Sequence, residues 1–273
     1  MKHTKKFLTT ALLGASISLT MVGCSSTTDS GVVGADRKQL LLVSSNEVMQ
    51  LSSQAYHQTV AQARAQGKLD TNAAQVARLR RIANNLIAHT NVYRADAQGW
   101  QWEVHTIASN DINAYVMPGG KIVFYTGIID RLNLTDAEIA AIMGHEMAHA
   151  LREHTREKMS RSVATSGVLS IASAALGLSS GQQELAGLAS QLGLNLPHSR
   201  TQEAEADKIG LELMARAGYN PNAAVSLWQK MQSAGGSSTP QFLSTHPSSS
   251  NRIAAMQTLI PTVMPLYQSS NRR

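Results

Sequence analysis

The five residues His145-Glu146-Met147-Ala148-His149 constrain this chain more than any other stretch of it. They read H-E-x-x-H, a pattern whose chemistry requires a helix. On a helix, positions i and i+4 stand about 40° apart on one face, so both imidazoles reach a single ion. Glu146 projects beside the pair, where it can touch a water on that ion. Two neutral nitrogens with an adjacent carboxylate suit zinc-assisted hydrolysis, in which the metal activates water and the Glu takes its proton. The flanking sequence predicts the helix. Thr135-Asp136-Ala137-Glu138 has capping-box form, and Ile139, Ile142, Met143 and Met147 supply an apolar stripe. Arg152, Arg156 and Lys158 follow near the end where the helix dipole favours cations.

A catalytic zinc needs a third protein ligand. His154 lies about 140° round a continuous helix from His149, and on that reading it points elsewhere. An H-x-x-G-x-x-H extension is absent, because Arg152 and Thr155 stand where Gly and His are needed. Downstream, Ser199 has the form of a helix cap with Gln202 as its reciprocal partner. Glu203 and Asp207 then share a face at i and i+4, so Glu203 could ligate while Asp207 orients a ligand histidine. Glu205 is the rival, its face about 200° from that of Glu203, so only one of the two can serve. A solvated acidic helix start is the plain alternative.

The N-terminus predicts a compartment. Met1 to Lys6 is basic, Phe7 to Val22 is apolar and small, and Gly23-Cys24 closes the run in the manner of a bacterial lipoprotein signal cleaved before Cys24. On this reading residues 1–23 are removed and lipidated Cys24 anchors the chain in the membrane. Residues 24–44 then form the tether, flexible and polar from Ser25 to Gly34. Ser25 resembles the signal for outer-membrane sorting in a Gram-negative cell. Cys24 is the only cysteine, so no intrachain disulfide forms. The net charge of +6 falls to +3 once Lys2, Lys5 and Lys6 are gone, since 21 Lys and Arg then face 18 Asp and Glu. No basic run with interleaved aromatics remains, which argues against a nucleic-acid partner.

Periodicity predicts helices over Ser45–Gly67 and Thr71–Thr90, then strands over Trp100–Ile107, Ala114–Val116 and Lys121–Tyr125, with a turn at Pro118-Gly119-Gly120. Gly127 to Leu132 leads into the H-E-x-x-H helix. The Glu203 helix runs to about Ala217 and stops at Gly218. Asn220-Pro221 begins another, closed by Gly235-Gly236, and the last covers Ser248–Leu259, ended by Pro261. Ser162 to Pro197 carries a single charge, Glu184. Its Ser and Gly content makes it a poor membrane span, and it reads as a pair of small-residue helices serving as lid, membrane-facing surface or oligomer contact. His57, His89 and His105 lack metal spacing, and nothing in the sequence argues that His198 ligates. Helices around a small twisted sheet make an α+β, mainly helical domain.

H-E-M-A-H followed by S-R-x-x-E-x-x-A-D (Ser199 to Asp207) resembles the zinc metallopeptidases of the HtpX, Oma and CAAX-prenyl-protease type, peptidase family M48. Asn113 to Gly120, Thr245-His246-Pro247 and Arg252 match in the same order, and the small LoiP- and BepA-like bacterial members are nearest in layout. The resemblance implies a minimal gluzincin metallopeptidase domain over residues 45–273, with an edge strand flanking the active site. It implies one Zn²⁺ per chain on His145, His149 and Glu203, which favours Glu203 over Glu205, with Glu146 as the catalytic base. It places Asp207 and Arg252 in support and makes the backbone of Asn113, Ala114, Tyr115 and Val116 the rail for a polypeptide substrate. His246 either occupies the open metal position at rest or stabilises the oxyanion. The expected function is a zinc endopeptidase degrading misfolded or stalled envelope proteins at the periplasmic face of the outer membrane, in contact with envelope assembly machinery. Two rivals stay open: a chaperone-like assembly factor with latent proteolysis, and a structural zinc lipoprotein with four closed ligands.

Overall fold

Alternation along three short strands sorts the apolar side chains into two cores. The computed structural model describes residues 24–166, 197–234, 240–247 and 250–270. The signal-like segment 1–23 and residues 167–196, most of the expected small-residue pair, lie outside them. Strands β1 (Cys24–Ser25) and β2 (Gln39–Leu40) pair with each other. Strands β3 (Glu103–Ile107), β4 (Ala114–Met117) and β5 (Lys121–Tyr125) form a sheet in the order β3-β5-β4, with β5 parallel to β3 and antiparallel to β4. Val104, Ala114, Val116, Ile122 and Phe124 belong to the larger core, with Leu79 and Ile82 of helix α2 (Ala73–Ile87) and Ile139 and Met143 of helix α4 (Asp136–Leu151). Tyr115, Met117 and Val123 belong to the second, with Ala55, Tyr56 and Val60 of helix α1 (Ser45–Ala65). A sheet covered on both faces explains why β4 is buried at every position. The architecture is α+β and mainly helical.

Both sequence-read caps form. Thr135 and Glu138 make a reciprocal capping box at the start of α4, and Ser199 and Gln202 make one at the start of α6 (Arg200–Arg216). Helix α3 (Thr126–Arg131) precedes α4, and α5 (His154–Ser166) follows it. The two capped helices cross at Gly144 and Gly210. A Cβ added at Gly210 would stand 2.8 Å from the backbone nitrogen of His145, so only glycine permits this approach. The crossing sets the turns that carry His145 and Glu203 face to face. Helices α7 (Asn222–Ser233), α8 (Gln241–Thr245) and α9 (Ser250–Ser270) pack outside this pair.

Three expectations give way to tertiary packing. Helix α9 continues through Pro261 and Pro265 rather than ending at Leu259. Each proline costs helix stability, but Met256, Ile260 and Val263 are buried in the main core, and that burial holds the helix together across them. Helix α4 stops at Leu151; Arg152 caps it, and Glu153 takes a left-handed φ of 51° before α5 begins at His154. The left-handed turn is unfavourable for a side chain with a Cβ, and ion pairs from Arg94 and Arg156 with a hydrogen bond from Ser45 hold Glu153 in it. The third correction concerns the tether, which runs against the domain rather than free of it. Val33 and the following Ala35 enter the main core, and Arg152 donates to Ser26 Oγ at 2.8 Å and Thr28 Oγ1 at 3.0 Å. Further along, Arg37 bridges Glu157 and Glu205, each at 2.8 Å, and the Gln39 amide donates to Arg152 O at 2.7 Å. The hydroxyls of Ser26 and Thr28 meet a buried arginine where the sequence reading gave them to solvent.

Helix propensity alone favours Ala over Gly by about 1 kcal/mol. At the crossing the sign reverses. Gly210→Ala is expected to destabilise the protein by about 1–3 kcal/mol through overpacking, read as a lower thermal midpoint by circular dichroism. An unchanged or higher midpoint would mean that the crossing is looser than described.

Candidate metal centre

Helix α4 supplies His145, Glu146 and His149 from two successive turns, and the first turns of α6 supply Glu203 and Asp207. His246, the residue that ends α8, closes over Glu146 and the two histidines, while α9 delivers Arg252. The Nε2 atoms of His145 and His149 stand 3.1 Å apart. From Glu203, Oε2 lies 3.6 Å from His145 Nε2 and Oε1 lies 3.4 Å from His149 Nε2. His246 Nδ1 is 3.4 Å from His145 Nε2 and 3.0 Å from Glu203 Oε1. Donors about 2.0–2.1 Å from one tetrahedral centre are about 3.3 Å from each other. The separations are close to that spacing, and imidazole nitrogen with carboxylate oxygen is the chemistry that zinc takes. All four side chains are buried.

His145 and His149 each meet a partner on the side away from Glu203. His145 Nδ1 lies 3.0 Å from Asp207 Oδ1. Asp207 accepts two hydrogen bonds from Arg252, at 2.8 and 2.6 Å, and the same guanidinium reaches Glu203 Oε2 at 2.5 Å while lying 4.0 Å from the Trp228 ring centroid. His149 Nδ1 lies 2.7 Å from His154 Nδ1, and His154 Nε2 lies 3.1 Å from Glu205. His154 was expected to point away. The break at Glu153 turns the chain back so that the first residue of α5 meets His149. Glu205 faces the other side of α6 from Glu203 and pairs with Arg37, Arg152 and His154, so the two rivals of the sequence reading have different partners.

Electrostatics divides the carboxylates by role. Burial pushes the Glu146 carboxyl above its ordinary range, partly opposed by His246 and His145, which makes it the better proton acceptor of the group. Burial would raise Glu203 as well, but His246, His149 and His145 hold it well below the carboxylate range. His246 links the two, with Nε2 3.3 Å from Glu146 Oε1. Burial would lower its pKa, but Glu146 and Glu203 raise it.

A small cleft runs over these groups. Asn113, Ala114, Tyr115 and Val116 form one wall and His198, Thr245 and His246 the other, with Glu146 and His149 at the base. Within the described sheet β4 is an edge strand. Tyr125 N donates to Asn113 O, which makes Asn113, Tyr115 and Met117 the residues whose backbone bonds turn inward to β5. The backbone groups of Ala114 and Val116 consequently turn outward, to the cleft side. His198, for which the sequence reading made no ligand argument, lies on the wall opposite β4. Its ring lies 3.8 Å from that of His149 and stacks on His246 at 5.2 Å, and its backbone N–H bonds to Thr245 O. Its position follows from the chain: it precedes Ser199, the cap of the helix that carries Glu203. His105, by contrast, bonds to Asp70 at 2.6 Å, away from the centre.

Comparison with known proteins agrees with this geometry. The sequence profile described as peptidase family M48 matches residues 73–260. The chain is 39% identical over 173 residues to the mitochondrial metalloendopeptidase OMA1 of Schizosaccharomyces pombe, covering 63% of this chain and 50% of that protein. It is 29% identical over 245 residues to the metalloprotease LoiP of Escherichia coli, covering 88% and 92%. It is 28% identical over 183 residues to the beta-barrel assembly-enhancing protease of Yersinia pestis, covering 63% and 36%. The chain thus spans about half the length, or less, of the OMA1 relatives it matches.

Arg252 neutralises two buried carboxylates at once. Arg252→Ala is expected to destabilise the metal-free protein by about 3–5 kcal/mol, the usual cost of stripping one partner from a buried ion pair. Added zinc should shrink that loss, because a cation then takes over part of the compensation. Urea denaturation with and without zinc measures both, and equal losses in the two conditions would contradict the shared neutralisation.

Proposed function

This chain belongs to peptidase family M48, and from that membership and the geometry of its centre we propose that it is a zinc-dependent endopeptidase of the bacterial cell envelope. The observation that carries the proposal is the cluster of four buried donors within 4.8 Å of one another, with Glu146 beside it. His145, His149 and Glu203 would hold the zinc. Bound there, a zinc ion would polarise the scissile carbonyl and lower the pKa of the attacking water. Glu146 accepts a proton from that water as its oxygen bonds to the carbonyl carbon, and returns the proton to the amine nitrogen as the C–N bond breaks. The substrate lies as an added strand along β4, its main chain bonded to the outward backbone groups of Ala114 and Val116. Such binding is indifferent to most side chains, which suits a protease that removes misfolded or stalled proteins. Lipidated Cys24 would place this activity at the periplasmic face of the outer membrane. The signal-like residues ahead of Cys24 support that setting, and the likeness to LoiP over most of both chains supports a bacterial metalloprotease of this layout. No helix among the described residues is long and apolar enough to cross a membrane.

A second reading has one observation in its favour. His246 completes the donor set and also reaches Glu146, an arrangement that holds both metal and base at rest. A chaperone-like outer-membrane assembly factor with latent proteolysis would look the same, and the likeness to the beta-barrel assembly-enhancing protease fits it.

Zinc content and casein cleavage by the purified wild type, Glu146→Gln and His246→Ala test the proposal. One zinc per chain is expected in wild type and in Glu146→Gln, with cleavage by the latter reduced about 10²–10⁴-fold. Faster cleavage by His246→Ala would assign it the resting position. A wild type without zinc, or a Glu146→Gln protein as active as wild type, would sink the endopeptidase reading. In cells, an envelope phenotype left intact by Glu146→Gln would favour the assembly factor.

A further inference from the structure

The segment ahead of α1 has more to do than lead into the domain. Arg37 sends one guanidinium nitrogen 2.8 Å to Glu205 Oε2 and donates to Glu205 Oε1 through Nε at 3.1 Å. Glu205 also receives Arg152 at 2.7 Å. Behind Glu205 stands His154, whose ring is fully buried and whose other nitrogen meets His149. A ligand that gives Nε2 to a metal carries its proton on Nδ1. The His149 Nδ1–H can donate to His154 Nδ1 only if His154 keeps its own proton on Nε2, and Glu205 is the acceptor that selects this tautomer. The chain of contacts is consistent from end to end, with every donor facing an acceptor.

We propose that the N-terminal segment, residues 26–39, is a working part of the metal centre: through Arg37 it fixes Glu205 and His154, which together orient the ligand His149. His154 and Glu205 are positioning residues, the counterpart for His149 of what Asp207 does for His145. Three acidic residues at alternate positions of α6 thereby serve three ends. Glu203 faces the metal directly, Asp207 stands behind His145, and Glu205 stands behind His149 by way of His154. Among the described ion pairs, Glu205 alone of the three joins the N-terminal segment. The inference rests on the zinc reading given above.

The test is the zinc dissociation constant of the purified full chain, by chelator competition, with the visible spectrum of the cobalt-substituted protein as a second readout. Wild type must bind zinc; failure there would remove the zinc reading and this inference with it. His154→Leu is expected to weaken zinc binding 10–100-fold, the usual effect of removing a partner behind a ligand, and to alter the cobalt spectrum. His154→Gln should recover most of the loss, because its carbonyl can accept from His149 while its amide donates to Glu205. Arg37→Ala, which leaves every group in the core in place, should weaken binding about threefold to tenfold, acting one step further away. Asp70→Asn is the control for stability alone: Asp70 bonds to His105 and accepts from the backbone N–H of Thr106, away from both the centre and the N-terminal segment. It should lower the melting temperature and leave the constant unchanged. Wild-type affinity and spectrum in folded Arg37→Ala, or wild-type affinity in His154→Leu, would overturn the proposal while leaving the zinc reading intact. Equal weakening by His154→Leu and His154→Gln would reduce His154 to a space-filling role and overturn it too.

Discussion

The approach of α4 to α6 at Gly144 and Gly210 is the contact on which the rest of the structure depends. Two helices with ordinary side chains at a crossing keep their axes about 8–10 Å apart, and a ligand set shared between them must bridge that gap. Here the absence of two Cβ atoms lets the backbone of one helix touch the other. Short side chains from both then reach a common point: the histidines from α4 and a glutamate from α6. The sheet, α2 and α7 bury the remaining sides of α4, which is why nearly every residue of that helix is buried although only one face carries chemistry. Packing of this density is also what makes the positions of the donors definite rather than an average over many arrangements.

Bringing the donors together concentrates charge where water is scarce. Glu146, Glu203, Glu205 and Asp207 are all buried or nearly so, and each isolated carboxylate would be expensive to hold there. The fold answers with two arginine clusters on opposite sides of α6. Arg252, stacked on Trp228, serves Glu203 and Asp207. Arg152 and Arg37 serve Glu205 and, through Arg37, Glu157. Among the described ion pairs Glu146 is the one of these four acids that meets a histidine and no arginine, and burial pushes its carboxyl above the ordinary range. The division follows from geometry: Glu203, Glu205 and Asp207 each face an arginine, while Glu146 is left to burial and histidines.

The cleft between β4 and the His198–His246 wall joins this centre to a backbone edge. Both walls depend on the same core, since β4 packs its Ala114 and Val116 side chains on α4 while the opposite wall is tied by the His198–Thr245 bond. A strand added along β4 would therefore lie at a fixed height over Glu146. The helix that follows, α9, gains its place late in the chain by burying Met256, Ile260 and Val263, and in doing so it sets Arg252 behind the ligands.

Much of this was legible in the sequence where the signal was local. The capping boxes at Thr135 and Ser199, the H-E-x-x-H face, the i, i+4 pairing of Glu203 with Asp207 and the β4–β5 turn all depend on residues within a few positions of each other, and local geometry constrains them strongly. What the sequence did not yield were contacts that arise when the chain returns on itself. His154 was placed by extending a helix that in fact stops, because a left-handed Glu153 is stabilised only by Ser45, Arg94 and Arg156 arriving around it. The packed N-terminal segment was read as a tether because its polar residues meet a buried arginine contributed from more than a hundred positions away. The prolines of α9 were read as an end because their local cost is visible in sequence and the burial that offsets it is not. Sequence by itself determined which groups could do chemistry and on which helical faces they stand, since 3.6 residues per turn fixes that locally. Tertiary structure decided which of those groups meet and what stands behind them, since burial and charge neutralisation are properties of the assembled core.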